Sequence, residues 1–582
     1  MTQYYIILFI VSIKYGDVKM YKKNDKHLQM DIFGGDPFAL KDTLKDIEDT
    51  EEYFFYKTIF CNLNEDLFAP LYCADNGRVN SAVNVMVCGL FLKEKLNLSY
   101  KQFFKQLKYN LLLRVSLGLF SLGTKPFCPA TIFNFINLVK DYEDEKGINL
   151  FEQVFKELTS RQLADLEIKM NIARTDSFMV DSNIRSYSRL QLLIEVLLRF
   201  NRVFSASDKK LFSDRFTDYE EKGSEHYIYD IKGSDLSHEK TKVAEAYLWI
   251  NTFIADKYNS TEEYKIFCRV YSEQFKIDES NKLLLLNPKE VSSNSLQSPD
   301  DPDATFRKKR EEEYHGQVAS VTETVDPDKK DINLIIDIAV SPNNVDDSKI
   351  FNKRLDVIVE MVPEVEEIHF DGGYGSAEND KKMDELNINP IQTAVRGRKP
   401  SVEMEIEVKE NNEIIVTCPF GQKILAKHTD TAYKACFNLS ICQECSKRKK
   451  CPVFKSKNPA GTYYFNKKDI LLNKRNHNIR NLPLDRRKCR APVESTMNEF
   501  VHLMQGHKLK VRGAFKASLF AFSMGVMINF GRIYRHYFKN NNKKAAVCLI
   551  LIFIQEIKSI FTIFKPNNHH FSRFNFNIKG FC

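Results

Sequence analysis

The segment His369-Phe-Asp-Gly-Gly-Tyr-Gly-Ser376 constrains the fold of this chain more than any other. The residues leading into it, Val365, Ile368 and Phe370, are apolar or β-branched and predict a buried strand. That strand runs onto Asp371, and a glycine-rich turn then opens a helical pattern from about Ala377. Strand, acidic tip, turn and helix in that order predict an α/β architecture. A carboxylate at the tip of a buried strand is exposed at the sheet edge, where it can hold a metal ion.

Two other carboxylates stand in comparable contexts. Lys169-Met-Asn-Ile-Ala-Arg-Thr-Asp176 reads as a strand continuing through Val180, which puts Asp176 on a strand. Downstream, Pro492 fits a first helical turn, and Val493, Met497, Phe500 and Met504 recur at helical spacing. Glu494 therefore lies beside the buried stripe near that helix start. Two-metal phosphoryl transfer needs hard oxygen ligands converging on ions roughly 3.5–4 Å apart, supplied by separate elements. Asp176, Asp371 and Glu494 have the chemistry and the wide spacing for this. Asp181, five residues after Asp176, is a rival first carboxylate. Asp337 is a weaker rival to Asp371, because it lies inside a strand pattern with no exposed turn after it.

With 582 residues the chain is too long for one core and predicts three or four domains. Residues 1–55 read as a poorly patterned leader. Residues 56–160 turn helical: Val83, Val87 and Leu90 share one face, Phe103, Phe104 and Leu107 another, and Pro129 opens what reads as a capped helix. Such short helices make either a DNA-binding domain or a plain scaffold. Residues 165–540 read as the catalytic domain. Strand candidates are Gly316–Glu323 and Asn333–Val340, with a helix near Lys349–Val362. A helix-rich insertion is expected at about 183–300 and a Cys-rich one at about 410–460. Residues 541–582 are left as a C-terminal tail.

Five of the 13 cysteines fall within 34 residues: Cys418, Cys436, Cys442, Cys445 and Cys451. The Cys442-Gln-Glu-Cys445 pair is half of a tetrahedral Zn²⁺ site, which two further thiolates complete. Cys418, Cys442, Cys445 and Cys451 are the favoured set, with Cys436 as alternate. Four sulfur ligands leave no open position, so the expected zinc is structural. Against this stands a cluster of reduced cysteines that binds no metal. An odd, uneven cysteine count predicts a reducing compartment, with the cytoplasm as the default.

Charge is localised. Residues 441–540 carry 22 Lys or Arg against 5 Asp or Glu, so the overall +8 leaves about −9 for the rest. A basic block of this kind points to a polyanion, since phosphate neutralisation dominates nucleic-acid affinity. A solvated basic surface is the alternative. Arg480, Arg486, Arg487, Lys488 and Arg490 lie just ahead of Glu494, and Lys508, Lys510, Arg512 and Lys516 extend the run. Lys447–Lys450 project from the Cys-rich knuckle. No signal peptide is expected from Tyr4–Ile13, and Ala545–Ile554 is too short to span a bilayer, so no membrane partner is expected.

Three blocks resemble the catalytic blocks of bacterial insertion-sequence transposases of the DDE class: Thr175-Asp-Ser-Phe-Met-Val-Asp-Ser-Asn-Ile-Arg185, Phe370-Asp-Gly-Gly-Tyr-Gly-Ser376 and Arg490-Ala-Pro-Val-Glu494. The nearest likeness is to the insertion sequence 1182 group. Leu296-Gln-Ser-Pro-Asp-Asp-Pro-Asp-Ala-Thr-Phe-Arg307 and Lys510-Val-Arg-Gly513 agree with it, and the likeness covers about residues 60–540. It implies a ribonuclease-H-like catalytic fold and Mg²⁺ (or Mn²⁺) held by Asp176, Asp371 and Glu494. It further implies cleavage and strand transfer at the element's ends, and a homodimer on double-stranded DNA in a bacterial cytoplasm, at the nucleoid. The chain departs from the family pattern in three places. Phe178 replaces a common Thr, Arg487 an expected Tyr, and Val501 a Lys. Two other functions remain open: an inactive DNA-binding derivative of a transposase, and a metal-dependent nuclease that does not join.

Overall fold

A computed structural model of the chain describes residues 19–28, 46–74, 77–120, 124–168, 171–279, 281–328, 331–393, 402–409, 411–430, 432–455, 461–504 and 508–563. The run Tyr4–Ile13, most of the leader and residues 564–582 lie outside them. The chain divides into two units, residues 1–530 and 531–582.

The site is organised by a mixed sheet around the strand Ile172–Asp181. On one side it pairs antiparallel with Glu312–Thr324, from Ala173 opposite Thr324 to Asp181 opposite Gly316. Glu312–Thr324 then pairs antiparallel with Ile335–Pro342 and, through its first residues, with Thr305–Lys309. On the other side Ile172–Asp181 runs parallel to Glu367–Phe370, which runs parallel to Asn389–Gln392. Parallel neighbours need crossovers, and the helices Asp347–Met361 and Ala377–Glu385 supply them. All the strands and helices expected of this core form, with ends shifted by a few residues.

Side chains alternate between the two faces of the central strand. Arg174, Asp176 and Phe178 share one face, on which the helix Val493–Val501 packs through Phe178 and Phe500, their ring centroids 5.1 Å apart. On the other face Met179 joins Val318, Ala339 and Ile350 of the helix Asp347–Met361. Phe178 therefore serves the core. The helix stripe stops at Phe500: Met504 is buried but lies past the helix end.

The last helix begins at Ala514, and its residues Leu519, Phe522, Val526 and Phe530 are buried. A Cβ at Gly525 would collide with Ile338, so close approach to the sheet requires glycine there. The helix continues to Ile563, through the first half of the expected tail. Within it Ala514–Phe538 is the one described segment long and apolar enough to cross a membrane, and 72% of its most apolar window is buried inside the protein.

Gly316 is the second position that demands glycine. A Cβ there would strike the Val180 carbonyl oxygen and approach Ser182 N to 2.8 Å, both of them backbone. Gly316→Ala is expected to cost about 2–3 kcal/mol by overpacking, read as a lower urea midpoint. An unchanged midpoint would show that the strand pair yields freely.

N-terminal to the sheet, Val83–Lys95, Tyr100–Tyr109, Leu111–Ser116, Pro129–Lys146 and Leu150–Asp165 are helices, and a further helix, Glu51–Thr58, begins inside the expected leader. Ser99 and Gln102 form a capping box. Pro129 is the first helical residue, but Cys128 ahead of it caps no backbone N–H with its side chain. The helices Arg189–Asn201, Ala206–Tyr229, Leu236–Phe253 and Glu262–Gln274 share their own core around Leu193, Phe200, Tyr247 and Phe267. A third core, around Ile406, Val416, Ala435 and Phe465, holds the short strands of the Cys-rich segment.

Candidate active site

Parallel pairing brings two of the three carboxylates together. The parallel register ends with Arg174 opposite His369, and Asp176 and Asp371 each lie two residues beyond that pair, near enough for the Asp371 charge to act on Asp176. Each uses one oxygen on local backbone: Ser177 N donates to Asp176 Oδ1 at 2.9 Å, and Gly373 N donates to Asp371 Oδ1 at 2.7 Å. The glycine-rich turn thus holds Asp371 at the strand tip.

Arg490 connects the third carboxylate. Its Nη2 lies 2.6 Å from Asp176 Oδ2 and its Nη1 lies 3.6 Å from Glu494 Oε1. The Glu494 side chain is 69% exposed, against 14% for Asp176. Burial raises the Asp176 pKa above its ordinary value, Arg490 opposes that rise, and the neighbouring Asp371 adds to it. Burial and a like charge penalise the ionised form, while a cation favours it.

The rival acids sit in other surroundings. Asp181 is an odd number of residues from Asp176 and so faces the opposite side of the strand. Its Oδ1 accepts from His315 N at 3.0 Å. Asp337 is buried against Arg354, which also binds Glu152 at 2.8 Å. In the motif at 296–307, Asp301 Oδ2 accepts from Gly513 N at 2.9 Å and Asp303 Oδ2 from Ala514 N at 3.1 Å. These two acids secure the start of the last helix.

Sequence reasoning missed Asp347. Its Oδ1 accepts from Ser177 Oγ at 3.0 Å and its Oδ2 meets Arg307 Nη2 at 3.2 Å. A Cβ on Gly373 would lie 3.0 Å from Asp371 Oδ1 and 3.8 Å from Asp347 Oδ2, so Asp347 borders the same edge. Its one sequence signal, an acidic residue in a first helical turn, reads as helix-dipole stabilisation.

Several expected DNA-contacting residues are engaged within the chain. Arg480 pairs with Glu403, Arg486 lies 3.4 Å from Glu367, and Arg487 donates to Leu482 O at 3.0 Å. Lys510 donates to Asn97 O at 2.7 Å, and Arg512 binds Asn183 O at 2.7 Å and Asp300 at 3.1 Å. Most of these contacts are at the surface, where an ion pair is worth little and can be exchanged for phosphate. Lys488 and Lys447–Lys450 are exposed.

Cys418, Cys442, Cys445 and Cys451 line one cavity, together with Phe437 and Phe454. Burial raises the Cys451 thiol pKa, and Cys442, Cys445 and Cys418 add to the rise. Cys436 does not line it; its Sγ lies 4.0 Å from Thr462 Oγ1. Among the described residues, no three His, Cys, Asp or Glu side chains converge closely enough to hold a metal ion as they stand. In donor type, hard carboxylate oxygens match Mg²⁺ and thiols match Zn²⁺.

No curated protein and no solved structure matches the chain. Residues 45–138, the helical region before the sheet, match the family model described as Transposase domain (DUF772). That match supports a transposase family for this chain and suggests a DNA-processing enzyme.

Proposed function

We propose that the chain is a DDE-class DNA transposase of an insertion sequence, similar to the insertion sequence 1182 group. In this reading the sheet is a ribonuclease-H-like core, and Asp176, Asp371 and Glu494 hold Mg²⁺ or Mn²⁺. The observation that supports it is Arg490, which lies 2.6 Å from Asp176 and 3.6 Å from Glu494, with Asp176 and Asp371 each two residues beyond the last parallel pair, Arg174 and His369. The strand order, with an antiparallel excursion on one side and parallel strands on the other, supports the fold assignment. The chemistry such ions supply when bound is activation of an attacking oxygen and stabilisation of a leaving one. Of the chain's own groups, Asp176 presents anionic oxygens from within the central strand and Asp371 from just past the end of its parallel neighbour, and the exposed Glu494 approaches from a separate helix. Lys488 and the Lys447–Lys450 run offer positive charge to the backbone of double-stranded DNA. The helical region before the sheet is assigned to DNA-end recognition. The two ends must be handled together, so the active form is read as a homodimer on DNA, in the cytoplasm.

The test is incubation with a duplex carrying the terminal inverted repeats that flank the coding sequence. Mg²⁺-dependent cutting at the ends, followed by joining to target DNA, is expected. Binding without cutting would make the chain an inactive derivative, and cutting without joining would make it a nuclease.

The Cys-rich segment is assigned to a structural zinc-ribbon-like module using Cys418, Cys442, Cys445 and Cys451. The carrying observation is that these four thiols share one cavity and Cys436 does not. Metal analysis of the purified chain is expected to find about one Zn²⁺ per chain, the count for one four-thiolate site, lost in Cys442→Ser and kept in Cys436→Ser. A metal-free native chain that takes up no added Zn²⁺ would overturn this.

A further inference from the structure

The third carboxylate sits on a segment far from the sheet in sequence, and the central strand grips that segment at successive same-face positions. Arg174 Nη1 donates to Cys489 O at 2.7 Å, the residue just before Arg490. Arg174 Nε also pairs at 2.6 Å with Glu323, which stands directly opposite it on the neighbouring strand. Glu323 Oε2 in turn accepts from Thr496 Oγ1 at 2.8 Å, two residues after Glu494. All three side chains are almost wholly buried: Arg174 is 4% exposed, Glu323 0% and Thr496 1%. Two positions along the strand, Asp176 takes Arg490, and two further, Phe178 takes Phe500.

We propose that the buried Arg174–Glu323 pair, reaching Cys489 and Thr496, is a positioning device that sets Arg490 and Glu494 over Asp176. The inference rests on the transposase reading of this site. Buried ion pairs are poor sources of net stability, because desolvation offsets their attraction. Placed beside a site, such a pair fixes direction: Glu323 Oε1 meets Arg174 and its Oε2 meets Thr496, while Arg174 Nη1 meets Cys489 O. The segment between the grips, Arg490 to Ser495, contains the two charged residues that must meet Asp176. A misplacement of about 1 Å at a charge-stabilising group can cost on the order of 10²-fold in rate.

The least disruptive test acts on Thr496. Thr496→Val keeps the shape and removes the hydroxyl that Glu323 accepts, while Thr496→Ser keeps the hydroxyl. Two readouts are used on the full chain: cleavage of the inverted-repeat duplex, and Mn²⁺ affinity by electron paramagnetic resonance without DNA. Thr496→Val is expected to lower kcat about tenfold and weaken Mn²⁺ binding severalfold, with KM for DNA within twofold. Thr496→Ser is expected to stay within twofold of wild type in both, and this rescue separates positioning from mere packing. Equal Val and Ser variants, or a loss in KM alone, would overturn the proposal while leaving the transposase reading intact. A wild-type chain that neither cuts DNA nor binds Mn²⁺ would sink the transposase reading, and this inference with it.

Discussion

Asp371→Asn is expected to abolish Mg²⁺-dependent cleavage and strand transfer, by on the order of 10³-fold, while DNA binding stays within about twofold. Asparagine is preferred to alanine for a structural reason. Asp371 Oδ1 accepts from Gly373 N at 2.7 Å, so alanine removes both the charge and the hydrogen bond that shapes the turn. The asparagine side chain keeps an oxygen acceptor for that N–H and loses only the charge. If Asp371→Ala falls further than Asp371→Asn, the difference reports the turn. Rates from single-turnover cleavage of the end-bearing duplex, with affinity from filter binding, separate the two effects. A cleavage rate within tenfold of wild type in Asp371→Asn would mean the strand-tip carboxylate is not part of the site.

Arg490→Gln is expected to lower cleavage on the order of 10²-fold and to move the acid limb of the pH–rate profile upward. The sign follows from the groups facing Asp176: burial and Asp371 raise its pKa, while Arg490, Lys309 and the Ser177 N–H lower it. Only ionised Asp176 presents two anionic oxygens, so activity is lost as pH falls through its folded pKa. In the native chain the net shift of Asp176 is upward from its ordinary value, with burial the largest cause. Removing the guanidinium takes away the largest opposing effect, so the limb must climb further. The same shift has a stability consequence of the opposite sense to a salt-bridged carboxylate. The cost of ionising buried Asp176 is absent below its unfolded pKa and fully present above its folded one. An acid limb that stays put, or moves down, in Arg490→Gln would contradict the assigned contact.

What the sequence revealed and what it hid divide along contact range. The strand Ile172–Asp181, the tip at Asp371 and the helices from Ala377 and Val493 are all legible, because β-branched runs, glycines and a proline mark them locally. Their mutual placement is not, since Arg174 opposite His369 is a register set by pairing between strands 195 residues apart. The choice between Asp176 and Asp181 could have been argued from parity along a strand, had the face carrying the helix been known. Arg174, Glu323 and Thr496 carry no local signal: a charged residue within a strand pattern reads as solvent-facing until its partner is seen. The basic block is legible as charge but not as partners: Arg480, Arg486 and Arg512 each have a carboxylate partner in the chain, supplied by residues distant in sequence.

The most direct test of the account is one cleavage assay on a carboxylate panel. Asp176→Asn, Asp371→Asn and Glu494→Gln are compared with Asp181→Asn and Asp337→Asn, all at matched folded fraction. The expected result is that each of the first three loses Mg²⁺-dependent cutting, while the last two keep it. Cutting that survives in any of the first three, or vanishes in a properly folded Asp181→Asn, would place the chemistry somewhere else on this chain.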